Sequence, residues 1–204
     1  MAGAVYKGIA ISVDGAGTAR LYVTNFHAGT VEVFDTGFSP ATPFGAFADP
    51  HLPKNYAPFN IALVGSKLVV TYAVQDADKH DDVAGMGHGV VDTFDLAGQS
   101  FQRLIQHGQL NSPWGVAIAP ASFGPLAGSL LIGNFGNGHI NAYNPTTGEF
   151  IDKMRDSHGQ AIVIDGLWSL RVGNGANGGR TDTVYFTAGP NDEQDGLFGS
   201  LAPN

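Results

Sequence analysis

The sequence has no cysteine, few charged residues and no long apolar run, and each shortage removes a class of protein. Without Cys there is no disulfide framework, thiolate zinc site or cysteine nucleophile. No stretch approaches the roughly 20 apolar residues of a membrane helix, so we expect no membrane insertion. Charged residues make up 14% of the 204, and the net charge is −8. An acidic chain without a basic cluster is a poor candidate for binding nucleic acid.

Linear catalytic and targeting signals are missing as well. No G-x-S-x-G motif surrounds a serine, and no H-E-x-x-H pair is present. The glycine-rich stretch GNGANGG (173–179) lacks the Lys and the following helix of a phosphate-binding loop. The N-terminal MAGAVYKGIAIS has neither the basic region nor the apolar core of a signal peptide, so the sequence itself fixes no compartment.

Short β-strand patterns, in contrast, fill the chain and recur in a fixed order. GIAI, NIAL, GVAI and WSLR each open a unit of roughly 50 residues, which is the length of a propeller blade with four strands. A second strand follows in each (LYVTN, LVVTYA, LLIGN, VYFTA), then a glycine-bearing turn and a third strand. The predicted blades span residues 8–50, 57–106, 112–156 and 161–204.

A fourth, outer strand is predicted at PFGAFADP, SFQRLI and FIDKMRD, but the last unit has none. The segment AVYK (4–7) precedes the first unit without a partner, and pairing it with the last blade would remove exposed sheet edges. We therefore predict one all-β domain over residues 1–204, a β-propeller of about four blades of four antiparallel strands, with 4–7 as the closing outer strand. The alternative is an incomplete ring that another chain completes, as a homo-oligomer.

The segments VYKGIAI, LYVTNFHAGTVEVFD, LNSPWGVAIAPASFG, LLIGNFGNGHINAYN and DGLWSLRVGNG resemble the repeats of YVTN/NHL-type propellers. More closely, the chain is similar to an uncharacterised bacterial family of propeller proteins, some of them exported with a PEP-CTERM tail. Members of that family usually carry further blades before the VYKG segment. The resemblance implies the propeller fold and export, and it implies no reaction.

All seven histidines fall in loops predicted to share one face, namely the loops after the second strand and those that enter each first strand. Histidine is a common ligand of zinc and a general acid or base near neutral pH. Three of the matched loops offer His27, His88 and His139, which we predict as a divalent metal site. The alternative is that each is a solvated loop residue or is bound to backbone.

The longest polar loop, QDADKHDDVAG (75–85), surrounds His80 with four aspartates: Asp76, Asp78, Asp81 and Asp82. Carboxylates at this density suit calcium, although the spacing is not that of an EF-hand. A solvated acidic lid is the alternative interpretation, and either would place specificity over the histidine-bearing face.

Two tryptophans, Trp114 and Trp168, lie where inner strands begin and could stack on a sugar or an aromatic ring. We predict that they bind a ligand together with His51, His107 and His158, whereas packing between blades is the alternative. The leading hypothesis is a binding module for a small ligand, a glycan or a protein partner, with metal support. The competing hypotheses are a metal-dependent hydrolase or lyase, similar to lactonases, at the same face, and a structural role.

Overall fold

The computed structural model describes residues 3–41 and 45–203, and this part of the chain contains 15 strands and one short 3-10 helix. Blade 1 consists of β1 (Tyr6–Val13), β2 (Ala19–Asn25), β3 (Thr30–Phe34) and β4 (Pro40–Ala41). Blade 2 consists of β5 (Tyr56–Val64), β6 (Lys67–Val74), β7 (Val90–Phe94) and β8 (Gln102–Gln106). Blade 3 consists of β9 (Pro113–Ile118), β10 (Leu130–Asn134), β11 (Ile140–Tyr143) and β12 (Phe150–Lys153). Blade 4 consists of β13 (Leu167–Val172), β14 (Val184–Ala188) and β15 (Leu197–Leu201), and the 3-10 helix is Gly124–Leu126.

Each blade is an antiparallel meander in which consecutive strands pair in chain order. The strands are rich in β-branched and aromatic residues and are separated by glycine turns, which is the composition that a half-buried pleated surface favours. The prediction of an all-β propeller with four blades is therefore confirmed. Within residues 3–41 and 45–203, no helix is long and apolar enough to cross a membrane.

Two details of the predicted strand pattern are wrong. Tyr6 and Lys7 begin β1 and lie alongside β2 of their own blade, so residues 4–7 are not the outer strand of the last blade, which has three strands in the described part of the chain. The fourth strand of blade 1 is Pro40–Ala41 instead of PFGAFADP, which lies partly outside the described residues. Apolar alternation alone could not distinguish an outer strand from a first strand in so short a segment.

The chain divides into two compact units, and each unit contains two blades. The first comprises Met1–Val83 and Gly87–Gly108, with blades 1 and 2, and the second comprises Ala84–Met86 and Gln109–Asn204, with blades 3 and 4. Apolar residues from both blades form the core of each unit. In the first unit these include Ala10, Tyr22, Ile61, Val70 and Phe94. In the second they include Ala117, Leu131, Ile140, Leu170 and Phe186.

A glycine allows the two inner strands of each unit to approach closely. A Cβ atom on Gly8 would lie 2.6 Å from the Cα atom of Asn60, and one on Gly115 would lie 2.8 Å from Cγ of Leu170. Such distances leave no room for a side chain, so the glycine is required by backbone proximity and not by turn geometry. The contact fixes how the first strands of the two blades lie beside each other within each unit.

A buried ion network joins the segment after blade 1 to blade 2 in the first unit. The Arg103 guanidinium on β8 donates to Asp92 on β7 at 2.9 Å and also to Asp49, and both carboxylate side chains are fully buried. Burial raises the pKa of Asp92 to about 7, because a buried carboxylate loses its hydration. The cationic Arg103 acts in the opposite direction and favours the carboxylate form. The network therefore has a structural role, because it ties the segment that carries Asp49 to blade 2.

Candidate functional site

One end of every blade is closed by the same hydrogen bond. The first residue of the loop after the second strand donates its backbone N–H to a carbonyl just before the first strand. The four bonds are Phe26 to Val5 (2.7 Å), Gln75 to Asn55 (2.7 Å), Phe135 to Ser112 (2.9 Å) and Gly189 to Gly166 (2.9 Å). The two kinds of loop that carry the histidines therefore meet at one end within each blade.

At this end each first strand carries a β-bulge at the same repeat position. The pairing with the second strand shifts around Lys7, Phe59, Trp114 and the Trp168–Ser169 pair. A bulge inserts an unpaired residue and redirects its side chain, and bulges concentrate beside functional sites. The side chains at these four matched positions differ between blades: blade 1 has a Lys, blade 2 a Phe, and blades 3 and 4 each have a Trp.

In three blades a threonine on the second strand accepts a hydrogen bond from the amide that follows the bulged residue. Thr24 binds the amide of Gly8 at 2.7 Å, Thr71 binds that of Asn60 at 3.1 Å, and Thr187 binds that of Ser169 at 3.3 Å. A bulged residue disrupts the ladder, and the hydroxyl supplies a partner for the amide that follows it. The bulge is thereby held in one conformation.

In the first unit the aromatic side chain at the bulge belongs to the core. Phe59 is fully buried and its ring lies 5.3 Å from that of Phe26, which is also fully buried. Lys7 occupies the matched bulge of blade 1 and pairs with Asp81 of the long polar loop at 2.9 Å. Hydrogen bonds from His80 and Lys7 lower the pKa of Asp81. The loop is thus attached to blade 1 by a salt bridge.

In the second unit the matched rings are half-buried and form an aromatic cluster of Trp114, Phe135 and Trp168. The centroids of Phe135 and Trp168 lie 4.4 Å apart with 31° between the ring planes. Trp114 meets Trp168 edge to face, with centroids 5.3 Å apart. The structure therefore brings together both predicted tryptophans and adds Phe135, which sequence reasoning missed. The repeated NF turn, NF at 25–26 and at 134–135, was the signal that could have identified it.

Buried amides hold the loops next to this cluster. The Asn134 side chain donates to the Gln109 carbonyl at 2.8 Å and accepts from the Asn111 amide at 3.2 Å. Asn141 donates to the same Gln109 carbonyl at 3.0 Å, and the Asn111 side chain accepts from Gly85 at 2.7 Å. Asn25 likewise accepts from the Ala28 amide at 3.1 Å. Phe135 follows Asn134 directly, so the hydrogen bonds of the Asn134 side chain restrain the backbone that carries the Phe135 ring.

Three of the seven histidines share one arrangement. His88, His107 and His139 place Nδ1 at 2.9, 3.0 and 3.2 Å from the carbonyl oxygens of Val83, Gly87 and Ile162. A carbonyl only accepts, so Nδ1 carries the proton, and Nε2 of the neutral ring is left as a potential ligand or base. His88 and His107 both adjoin Gly87 in the first unit, whereas His139 belongs to the second.

The remaining histidines are more dispersed. His51 and His158 are exposed, and His158 lies 3.7 Å from Asp156. The half-buried His27 receives a weak hydrogen bond at its carbonyl from Gln75 at 3.5 Å. Within each unit, no three His, Asp or Glu residues of the described chain are grouped so as to hold a metal ion. The metal set of His27, His88 and His139, and the ligand role of His51, His107 and His158, stay predictions.

A cleft of about 580 Å³ lies elsewhere in the second unit. It is lined by the 3-10 helix between β9 and β10, by the end of β12 and by residues 200–203. Asp152 and Arg155 pair across 3.1 Å at its edge, and both are about half exposed. This ion pair lowers the pKa of Asp152, so the carboxylate is a poor general acid.

Comparison with known proteins finds relatives that are similar in sequence and solved structures that are similar in fold. No known family model matches the chain. Two uncharacterised proteins of Acanthamoeba polyphaga mimivirus are 33% and 34% identical to it over 97% of its length. The chain spans about half the length of these curated relatives, 48% of one and 51% of the other. The bacterial YVTN/NHL-like assignment is therefore wrong, because these relatives are viral.

Solved structures with a similar fold include the following three enzymes. A virginiamycin B lyase from Staphylococcus aureus matches 99% of this chain and 57% of its own, with a TM-score of 0.53 and 10% identity. An exo-β-1,3-galactanase from Phanerochaete chrysosporium, with β-1,3-galactotriose, matches 97% and 47% at a TM-score of 0.62 and 8% identity. A GH43_1 enzyme from Xanthomonas citri, complexed with xylotriose, matches 97% and 70% at 0.54 and 12%. At such identities the likeness shows the fold alone.

Proposed function

We propose that the chain is a carbohydrate-binding module and that Trp114, Phe135 and Trp168 form its contact surface. The observation that carries the proposal is the contrast between the two units. The bulge and NF-turn rings of the first unit, Phe59 and Phe26, are fully buried, whereas the matched rings of the second unit are half-buried. Half-buried rings grouped at one end of the blades offer an apolar surface that a ligand can cover.

A neutral sugar suits this surface better than a charged ligand. The apolar face of a pyranose can lie on an indole, and the ring's hydroxyl groups remain available to the surrounding polar loops. The rings are held by packing against one another and by the buried amides under the NF turn. Binding a ligand therefore costs little conformational entropy of these side chains. A rigid aromatic surface on the loops of a stable sheet is a frequent form of recognition site.

The test is binding of xylotriose and β-1,3-galactotriose, measured by isothermal titration calorimetry on the 204-residue chain. We expect Trp168→Ala and Trp114→Ala each to weaken binding about 5- to 150-fold, taking as a guide the roughly 1–3 kcal/mol that base stacking on one aromatic ring contributes. The matched control is Phe38→Ala, an exposed aromatic residue of the first unit, which should bind as the wild type does. Unchanged affinity in both Trp variants would refute the proposal.

A second candidate is a metal-supported hydrolase or lyase, and the shared Nδ1-to-carbonyl arrangement favours it. An imidazole oriented in this way presents Nε2 to a metal, as second-shell partners do in zinc sites. The test is metal analysis of untagged protein together with the variants His88→Ala and His139→Ala, with the exposed His158→Ala as the control. Stoichiometric zinc or calcium that is lost in the first two variants and kept in the third supports this candidate. Metal-free protein whose stability is insensitive to chelator removes it.

A further inference from the structure

Contacts between blades follow one rule inside both units. One residue on the first strand of the second blade in each unit points towards the preceding blade and is buried there: Ile61 of NIAL is 1% exposed and Leu170 of WSLR is 4% exposed. Ile61 belongs to one cluster with Ala10 and Tyr22 of blade 1, and Leu170 belongs to one cluster with Ala117 and Leu131 of blade 3. Within each unit, the second blade thus places an apolar residue of its first strand on the face towards the first blade. The first blade provides the surface against which that residue packs, which we call the receiving surface.

On the first strand of blade 1 the counterpart residues are exposed. Ile9 is the counterpart of Ile61 and Leu170, since each directly follows the residue whose amide is bonded by a threonine of the second strand, and Ile9 is 63% exposed. Ile11 and Val13 on the same face of β1 are 59% and 62% exposed. We call Ile9, Ile11 and Val13 the leading face.

Blade 4 presents the receiving surface, also exposed. Tyr185 and Thr187 are the counterparts of Tyr22 and Thr24, which are fully buried against blade 2, where Tyr22 donates to the Leu96 carbonyl. In blade 4, however, Thr187 is exposed and Tyr185 is only half-buried. Phe198 stacks on Tyr185 at 5.9 Å with 8° between the planes and is 70% exposed. We call Arg171, Tyr185, Thr187 and Phe198 the trailing face.

We propose that the leading face of one copy of this chain binds the trailing face of a second copy, and that the resulting assembly is a dimer. The occupant is a blade of this type, because Ile9 on one face and Tyr185 and Thr187 on the other are the counterparts of residues that bind a neighbouring blade inside the units. Large exposed apolar patches of this kind typically mark protein interfaces.

Sedimentation equilibrium of the 204-residue chain tests the proposal. We expect a mass of twice 21.3 kDa for the wild type, and a single-chain mass for Ile9→Glu, because a buried unpaired carboxylate opposes the contact. Met86→Glu, which changes an apolar residue that is 85% exposed and lies outside both faces, should remain dimeric. Circular dichroism checks that each variant is folded. A wild type that is a single copy at every concentration overturns the proposal and leaves a further blade of a longer polypeptide as the occupant.

The absence of cysteine in the chain permits a second test that depends on which faces meet. The variants Ile9→Cys and Phe198→Cys are mixed and oxidised, and the products are separated by mass. Disulfide-linked mixed dimers should exceed the linked dimers that either variant forms alone, since each leading face meets a trailing face. If Ile9→Cys links mainly to itself, two leading faces meet and the proposal is wrong. Neither test involves the aromatic cluster, so its outcome is independent of sugar binding.

Discussion

Trp168 lies against Phe135, with 4.4 Å between the ring centroids and 31° between the planes. The two residues come from different blades, one from the first strand of blade 4 and the other from the loop after the second strand of blade 3. Their contact therefore depends on packing within the second unit and not on local sequence.

This pair yields a first prediction, on Phe135→Ala and its counterpart Phe26→Ala. Phe26 is fully buried, so its loss should lower the free energy of unfolding by about 3–5 kcal/mol. Phe135 is half-buried, so its loss should cost clearly less stability and yet weaken sugar binding, because Trp168 loses its support. Urea unfolding and calorimetric titration of both variants provide the comparison. A Phe135→Ala protein with wild-type affinity would show that Phe135 has no part in the site.

The hydroxyl beside each bulge leads to a second prediction. Thr24→Val removes the partner of the Gly8 amide in a buried position, so it should cost about 1–3 kcal/mol of stability. Thr187→Val removes the same bond at an exposed position, where water can replace the hydroxyl, and the cost should stay below about 0.5 kcal/mol. If urea unfolding shows the same loss of stability for both variants, burial of the threonine hydrogen bond does not determine how much that bond stabilises the bulge.

Backbone proximity at Gly8 gives a third prediction. Gly8→Ala would place a methyl group 2.6 Å from the Asn60 Cα atom, so blades 1 and 2 would have to move apart, at a cost of about 3 kcal/mol or more. Gly15→Ala is the control, since no atom lies within 4 Å of the added carbon. The control should be neutral or slightly stabilising, because alanine restricts the unfolded chain. The midpoints of thermal unfolding of the two variants test this prediction. A Gly8→Ala protein as stable as the Gly15→Ala control would contradict the described contact between the inner strands.

The buried Asp92 gives a fourth prediction, on pH. Its folded-state pKa is raised by burial to about 7, from an ordinary value of 3.8. The folded state therefore binds the proton more tightly than the unfolded state does. The resulting stabilisation is present below about pH 4 and is lost as the pH rises towards 7. The free energy of unfolding of the wild type should accordingly fall between pH 5 and pH 7 relative to that of Asp92→Asn.

Urea unfolding of both proteins at several pH values measures this difference. Parallel pH profiles would show that Asp92 stays ionised beside Arg103. In that case the ion pair outweighs burial, and Arg103→Met should instead cost about 3–5 kcal/mol, since it would leave two buried carboxylates without their cation.

Much of the fold was predictable from the sequence, because the repeat of apolar strands and glycine turns is regular in every blade. GIAI, NIAL, GVAI and WSLR each lie in a first strand, and the predicted outer strand at SFQRLI overlaps β8. The position of residues 4–7 was not predictable, since a short apolar segment suits a first or an outer strand equally well. Only pairing with β2 decides between them, and that is a tertiary contact.

The candidate site was predictable only in part. Trp114 and Trp168 could be placed at the start of their strands, but not the contact between them, which requires the packing of two blades. Phe135 and Lys7 were missed because a bulge cannot be identified from strand propensity, and it is the bulge that redirects the side chains at these matched positions. The histidines could be placed in loops from the sequence, but whether imidazoles from different loops converge is not determined by loop length.

Tryptophan fluorescence measures the central claim most directly, because Trp114 and Trp168 are the only two tryptophans in the chain and both belong to the aromatic cluster. Titration with xylotriose or β-1,3-galactotriose should change the intensity or the wavelength of tryptophan emission saturably, with the same dissociation constant that calorimetry gives. Emission that stays unchanged while calorimetry records binding would place the sugar elsewhere on the protein. Absence of binding by both methods would contradict the assignment of this surface to these carbohydrates.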